Sequence, residues 1–243
     1  KTGAVIWHFE HEMPSDLILC CGPSNRGGAI KGDLLFMATL DAKILAIDRA
    51  TGEVRWTTTM EDYKTGYSAT SAPLIVGDMV ISGIAGGEYG ARGFIDAYDT
   101  ITGRRVWRRY TIPAAGEVGI ETWAGDSWKT GGGPSWSTGT YDPQTNLLYW
   151  PIGNPSPDWN GDLRLGDNLY TNSVVALEPE TGEMKWHFQF TPHDVWDYDA
   201  TNGLVVADID VDGETVRALM QPNRNGYVYT LDAATGVFLK GFQ

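Results

Sequence analysis

Histidine and cysteine are scarce in this chain, at four and two of 243 residues. His8 and His11 lie outside any His-Glu-x-x-His pattern, and there is no Gly-x-Ser-x-Gly elbow, so zinc and Ser-His-Asp hydrolases lack support. No P-loop or Rossmann fingerprint occurs, which argues against nicotinamide chemistry, and no Cys-x-x-Cys-His marks a haem attachment. No apolar run approaches the roughly 20 residues needed to span a bilayer. Bases are outnumbered, 18 against 31 acids, for a net charge of −13. Nucleic-acid binding requires a basic footprint, so the balance disfavours that partner class; it suits a protein that gathers cations or docks a basic partner, and equally a plain acidic surface. A 3.6-residue apolar period is also missing from every long segment, so helices are expected to be few and short.

What the chain has is a recurring phrase: an Asp or Glu, then Thr-Gly, then Trp four residues after the Gly. It reads Asp48…Thr51-Gly52…Trp56, Asp99…Thr102-Gly103…Trp107 and Glu178…Thr181-Gly182…Trp186. A weaker copy is Asp142…Thr145-Asn146…Trp150; Asp232…Thr235-Gly236 begins another, and Thr2-Gly3…Trp7 ends one. The Thr residues lie 49, 51, 43, 36 and 54 apart, spacings that mark a propeller or solenoid. Thr-Gly makes a tight turn after a strand, and the Trp on the next strand can pack between neighbouring units. Further hairpins are expected at Asp41-Ala42, Gly77-Asp78 and Asp212-Gly213. The run Asp208-Ile209-Asp210-Val211-Asp212-Gly213 imitates the start of a calcium loop, but its twelfth position is Leu219, and its flanks alternate like strands. The fold class expected is therefore an all-β propeller over residues 1–243, with about five blades. The chain starts at Lys1 without a visible signal peptide, and the repeat arithmetic points to a fragment that begins and ends within blades.

Cys20 and Cys21 are adjacent. From the residues alone they read either as two buried thiols or as a tight vicinal bridge.

Four inserts between the repeats carry a resemblance. Cys20-Cys21-Gly22-Pro23-Ser24-Asn25-Arg26-Gly27 resembles the vicinal-cysteine segment of methanol dehydrogenase and its quinoprotein relatives. Gly125 to Trp136, Gly153-Asn154-Pro155-Ser156-Pro157-Asp158-Trp159-Asn160, and Thr191-Pro192-His193-Asp194-Val195-Trp196-Asp197-Tyr198-Asp199 are similar to the same family, in family order. The resemblance implies an eight-bladed propeller that oxidises a primary alcohol with pyrroloquinoline quinone (PQQ) and a bound metal ion. It implies that a Cys20–Cys21 disulfide and Trp136 sandwich the quinone, that Arg26, Thr70 and Arg224 hold its oxygens, and that Gly86 and Gly87 border it. Glu88, Asn154 and Asp197 match the metal ligands, oxygen donors that suit a hard cation, and Asp197 matches the catalytic base. Asp199 matches an additional ligand found in lanthanide-dependent relatives; calcium-dependent ones carry a small uncharged residue there. The expected ion is thus a lanthanide, with calcium as the alternative. The family often has Ser three residues before its metal-binding Glu, whereas this chain has Ala85, so one cofactor hydrogen bond is in doubt or made by backbone.

The implied partners are an alcohol substrate, a cytochrome c electron acceptor and a second copy of the full-length protein in a homodimer. The implied address is the periplasm, whose oxidising conditions suit a vicinal disulfide. An upstream Glu that contacts the quinone in relatives is not in this chain, so the site residues can be assigned correctly while the piece alone is inactive. The reading from a different class is a non-catalytic propeller scaffold, which needs the Thr-Gly…Trp repeats but not Cys20-Cys21, Trp136 and Asp197-Tyr198-Asp199 together.

Overall fold

Sixteen antiparallel strands in four sheets make up the computed structural model, which describes residues 2–243. The first sheet holds β1 (Gly28–Lys31), β2 (Leu34–Ala38), β3 (Lys43–Asp48) and β4 (Val54–Thr59). The second holds β5 (Leu74–Val76), β6 (Met79–Gly83), β7 (Phe94–Asp99) and β8 (Arg105–Tyr110). The third contains β9 (Thr140–Asp142), β10 (Leu147–Pro151), β11 (Ser173–Leu177) and β12 (Met184–Gln189). The fourth contains β13 (Val205–Val211), β14 (Glu214–Pro222), β15 (Val228–Asp232) and β16 (Phe238–Phe242). Each sheet is a meander of sequential neighbours. Helical structure among the described residues is limited to short 3-10 turns, and no helix there is long and apolar enough to cross a membrane.

The side-chain period of two explains why the middle strands read as unbroken apolar runs. On β7, Phe94 and Tyr98 join the core between the first and second sheets, while Ile95 and Ala97 join the core between the second and third. On β10, Leu148 and Trp150 face the second sheet, and Leu147 and Tyr149 face the fourth. Both faces of an inner blade are buried, so both are mostly apolar, and the charged exception on β7, Asp96, is paired with Arg108 and Tyr98.

The repeated phrase is a joint between blades. Asp48 Oδ1 accepts the backbone N–H groups of Ala50 (2.8 Å) and Thr51 (2.9 Å), and Gly52 donates back to the Asp48 carbonyl. Asp99 and Asp232 grip Thr102 and Thr235 in the same way. Each closing Gly has positive φ and supports an indole from another segment: Trp7 on Gly52, Trp56 on Gly103, Trp107 on Gly182 and Trp186 on Gly236. A Cβ on any of these glycines would fall 2.5–2.9 Å from the indole. Three indoles donate to the carbonyl three residues before the Gly: Trp7 to Arg49, Trp56 to Thr100 and Trp107 to Pro179. Trp186 has no such bond, because the Tyr149 hydroxyl already donates to the corresponding carbonyl, that of Ala233.

The expected count of about five blades resolves into four complete sheets plus the Trp7 tail. The weaker phrase at Thr145-Asn146 is the β9–β10 hairpin inside the third blade, and Trp150 covers Gly139, just before β9, where Trp7, Trp56, Trp107 and Trp186 each cover the Gly of a Thr-Gly turn. Asn146 reaches positive φ as Gly would, so the local turn is alike although its place in the sheet differs. The calcium-loop imitation is the β13–β14 hairpin, with Asp212 and Gly213 at its tip.

Trp107→Ala removes a nearly buried indole and strips the Pro179 carbonyl of its donor. Loss of a large buried aromatic costs about 4 kcal/mol, so the thermal unfolding midpoint is expected to fall by several degrees, as calorimetry would register.

Candidate active site

Strand parity gathers the site. In an antiparallel four-stranded meander, the second-to-third connection and the exit to the next blade emerge at the same end. Glu88 and Asn154 sit on second-to-third connections (β6–β7, β10–β11), and Arg224 sits on β14–β15. Thr70, Trp136, Asp197 and Asp199 sit on exits (β4–β5, β8–β9, β12–β13). The first strands of adjacent blades touch, β1 with β5 and β9 with β13, which places the axis beside them.

At that end lies a cavity of about 260 Å³. Cys20 and Cys21, joined by a vicinal disulfide, form one part of its wall. Arg26, Thr70, Gly86 and Trp136 form another, and Glu88, Asp197, Asp199 and Arg224 complete the polar side. Of the residues expected from the sequence, only Gly87 and Asn154 do not line the cavity. They lie directly behind it: a Cβ on Gly87 would fall 2.9 Å from Asn154 Oδ1, and the Asn154 backbone N–H donates to Asp199 Oδ1 at 3.2 Å.

Trp136 is held by its indole N–H, which donates to Asp199 Oδ2 at 2.9 Å. Its face takes a flat partner: the Arg26 guanidinium lies 4.6 Å from the ring centroid. Arg26 is anchored on Thr70, whose carbonyl accepts its backbone N–H at 3.1 Å. The Thr70 hydroxyl donates to the Trp136 carbonyl at 3.3 Å. Ala85, the departure from the family pattern, pairs through both backbone groups with Ser68, and the two residues share a wall of the cavity.

The segment bearing Asp197 and Asp199 is held in an irregular path, with His193, Asp197 and Asp199 at positive φ. Such conformations persist only where surrounding bonds impose them. Buried Asp194 accepts the N–H groups of Trp196 (2.9 Å) and Tyr198 (2.8 Å), as well as the Asn172 amide at 2.7 Å. Asn172 Oδ1 in turn accepts the Ala200 N–H at 2.9 Å. Sequence reasoning did not assign Asp194 or Asn172 a role; the Asp two residues before Trp196 was the available signal, an Asx turn. Gly153 was also unassigned, yet a Cβ there would collide with the Asp199 carboxylate.

Electrostatically the polar wall is overloaded with acid. Burial, opposed by Arg224 and reinforced by Asp197, pushes the Asp199 carboxyl up to about 7. Burial followed by the Glu88 charge raises Asp197. Burial, then Asp197 and Glu88, pushes Asp158 up to about 6. Arg224 lies 3.8 Å from Asp199 Oδ2 and is half exposed, too little to balance these groups. Asn154 is fully buried, and its Oδ1 has no hydrogen-bond partner. A buried acceptor left unpaired is costly, and next to the Asp158 and Asp199 carboxylates it offers an oxygen of the kind that suits a hard cation. The residues present therefore fit a metal ion, and Trp136, which already takes the flat Arg26 guanidinium on its ring, together with the disulfide fits a flat, anionic ligand.

Comparisons with known proteins show the family. Residues 1–242 match the family described as glucose/ethanol/alcohol dehydrogenase, beta-propeller domain. The quinoprotein alcohol dehydrogenase PedH of Pseudomonas putida is 44% identical over 259 residues, covering 100% of this chain and 43% of that protein. A lanthanide-dependent methanol dehydrogenase of Methylacidiphilum fumariolicum is 37% identical, covering 99% of this chain and 43% of that protein. A solved structure titled europium-containing methanol dehydrogenase superposes with a TM-score of 0.93 at 37% identity, covering 98% of this chain and 45% of that one. The chain thus spans less than half the length of these relatives. The four-stranded blades, the cavity at their loop end and these similarities establish that the chain belongs to the PQQ β-propeller family of alcohol dehydrogenases.

Proposed function

We propose that the protein carrying this chain oxidises a primary alcohol, such as methanol or ethanol, to the aldehyde. The carrying observation is the unpartnered, buried Asn154 Oδ1 directly behind a cavity that presents Trp136, a vicinal disulfide and the Glu88, Asp197 and Asp199 side chains. Glu88, Asn154, Asp197 and Asp199 would hold the ion; Cys20, Cys21, Arg26, Thr70, Gly86, Trp136 and Arg224 would hold PQQ, with Gly87 keeping Asn154 close behind. When bound, the quinone and its ion supply a two-electron acceptor and a Lewis acid. Asp197 is the group placed to accept the alcohol's hydroxyl proton. Arg224, which donates to the Asp197 carbonyl at 3.4 Å, keeps a positive charge beside it.

A lanthanide is the ion this reading favours, because Asp199 adds an anionic oxygen and a trivalent ion gains most from it. Electrons would pass onward to a cytochrome c, in the periplasm, where a vicinal disulfide survives. The similarity to a lanthanide-dependent methanol dehydrogenase and to a europium-containing one supports the choice of ion.

The test is dye-linked methanol and ethanol oxidation by the full-length protein reconstituted with PQQ and either lanthanum or calcium. Turnover with lanthanum supports the whole reading. Turnover with calcium alone keeps the alcohol oxidation and removes the lanthanide assignment. No turnover and no bound quinone would favour a propeller that serves as a scaffold. A Cys20→Ala/Cys21→Ala double variant should lose most of its retained quinone on gel filtration, with an unchanged far-ultraviolet circular dichroism spectrum, because the cysteines stand in the cavity wall and outside every strand.

A further inference from the structure

Asn154 works as a ligand only one way round. An amide carries an acceptor at one end and two donors at the other, and a half-turn about its last bond would present N–H groups where a cation needs oxygen. In the structure Nδ2 donates to Asp158 Oδ1 at 2.6 Å and to the Pro155 carbonyl at 3.1 Å, and Oδ1 is left without a partner. The bond to the carboxylate is the shorter of the two and is charge-assisted, so it outweighs the contact to the neighbouring carbonyl.

Asp158 is itself held. Buried Arg164 donates to the Asp158 carbonyl at 2.9 Å, to the Pro157 carbonyl at 2.9 Å and to Asn168 Oδ1 at 2.8 Å. The same guanidinium donates to the Asp194 carbonyl, on the segment that leads to Asp197 and Asp199. One buried cation thus fixes the stretch that orients Asn154 and the stretch that carries the two acids relative to each other.

We infer that Asp158 is a positioning residue, whose carboxylate locks the Asn154 amide with Oδ1 turned toward the cation. This rests on the proposed metal site and extends it by one residue. Outer partners that orient a ligand typically change metal affinity 10- to 100-fold when removed.

Terbium binding to the full-length protein, followed by tryptophan-sensitised luminescence, tests this without any turnover. Asp158→Ala removes the acceptor and is expected to weaken terbium binding roughly 10- to 100-fold. Asp158→Asn keeps a side-chain oxygen that can accept from Asn154 Nδ2, and it should recover most of that loss. Affinity for Asp158→Ala within twofold of the unmodified protein would overturn the inference. So would Asp158→Asn binding as weakly as Asp158→Ala, since charge alone would then be at work. Absence of terbium binding in the unmodified protein would instead overturn the metal site, and the inference with it. Should Asp158→Ala fail to fold, as judged by its thermal transition, the comparison of Asp158→Asn with the unmodified protein decides: a loss above tenfold would refute orientation as the role.

Discussion

Asp199→Ala is expected to lower lanthanum-dependent alcohol oxidation at least 100-fold while leaving calcium-dependent turnover measurable. Three contributions add in the same direction. The variant deletes a buried carboxylate, 6% exposed, whose charge already faces too little cation in the protein. It also releases the Trp136 indole N–H and the Asn154 backbone N–H, both of which the carboxylate accepts. A trivalent ion loses more than a divalent one, because its attraction to the missing charge is greater by half. Asp199→Asn separates these contributions, since it retains an acceptor for Trp136 without the charge. Parallel kinetics with the two ions measure the effect, and a lanthanum-dependent rate unchanged in Asp199→Ala would sink the assignment.

Gly153→Ala should be nearly as damaging, although it adds one methyl group and no charge. Its Cβ would run into Asp199 Oδ1 and lie 3.0 Å from Pro134 Cγ and 3.2 Å from the Pro134 carbonyl. Gly153 is not among the residues at positive φ, so alanine suits the backbone and the penalty is purely one of space. The Asp199 carboxylate must move, and a shift of about 1 Å at a ligand is enough to lose roughly 100-fold in activity. Metal affinity is expected to fall with it, while the blades, whose strands lie elsewhere, unfold near the original temperature. Titration with terbium alongside a melting curve checks both halves; unchanged affinity would mean that Asp199 has room to relax.

The blades were legible because their signals are local. Asp, Thr and Gly at fixed offsets make the turn at 48–52 and again at 99–103, whatever surrounds them. Trp56 and Trp107 then dock as the spacing anticipated. The phrase at Asp142–Trp150 misled for the same reason: its turn is genuine, but β10 goes on to pair with the distant β11, which puts the hairpin inside one blade. The site was legible through resemblance, which brought Cys20, Trp136, Asp197 and Asp199 together before any geometry was known. Asp158, Gly153 and Arg164 escaped that reading. What each does depends on which atom it faces across the fold, and nothing in the residue types encodes a collision with Asp199 or the direction of an amide.

Four strands to a blade is an even number, and evenness has a consequence for how such a protein can change. With three or five strands, successive exits would alternate between the two ends of the disc, and any long insertion would have even odds of landing on the wrong one. Here the long connections, 60–73, 84–93, 111–139, 152–172 and 190–204, all emerge together, opposite the short hairpins. A lineage can therefore lengthen, trim or replace any of them, and the indole-on-glycine joints between blades never register the edit.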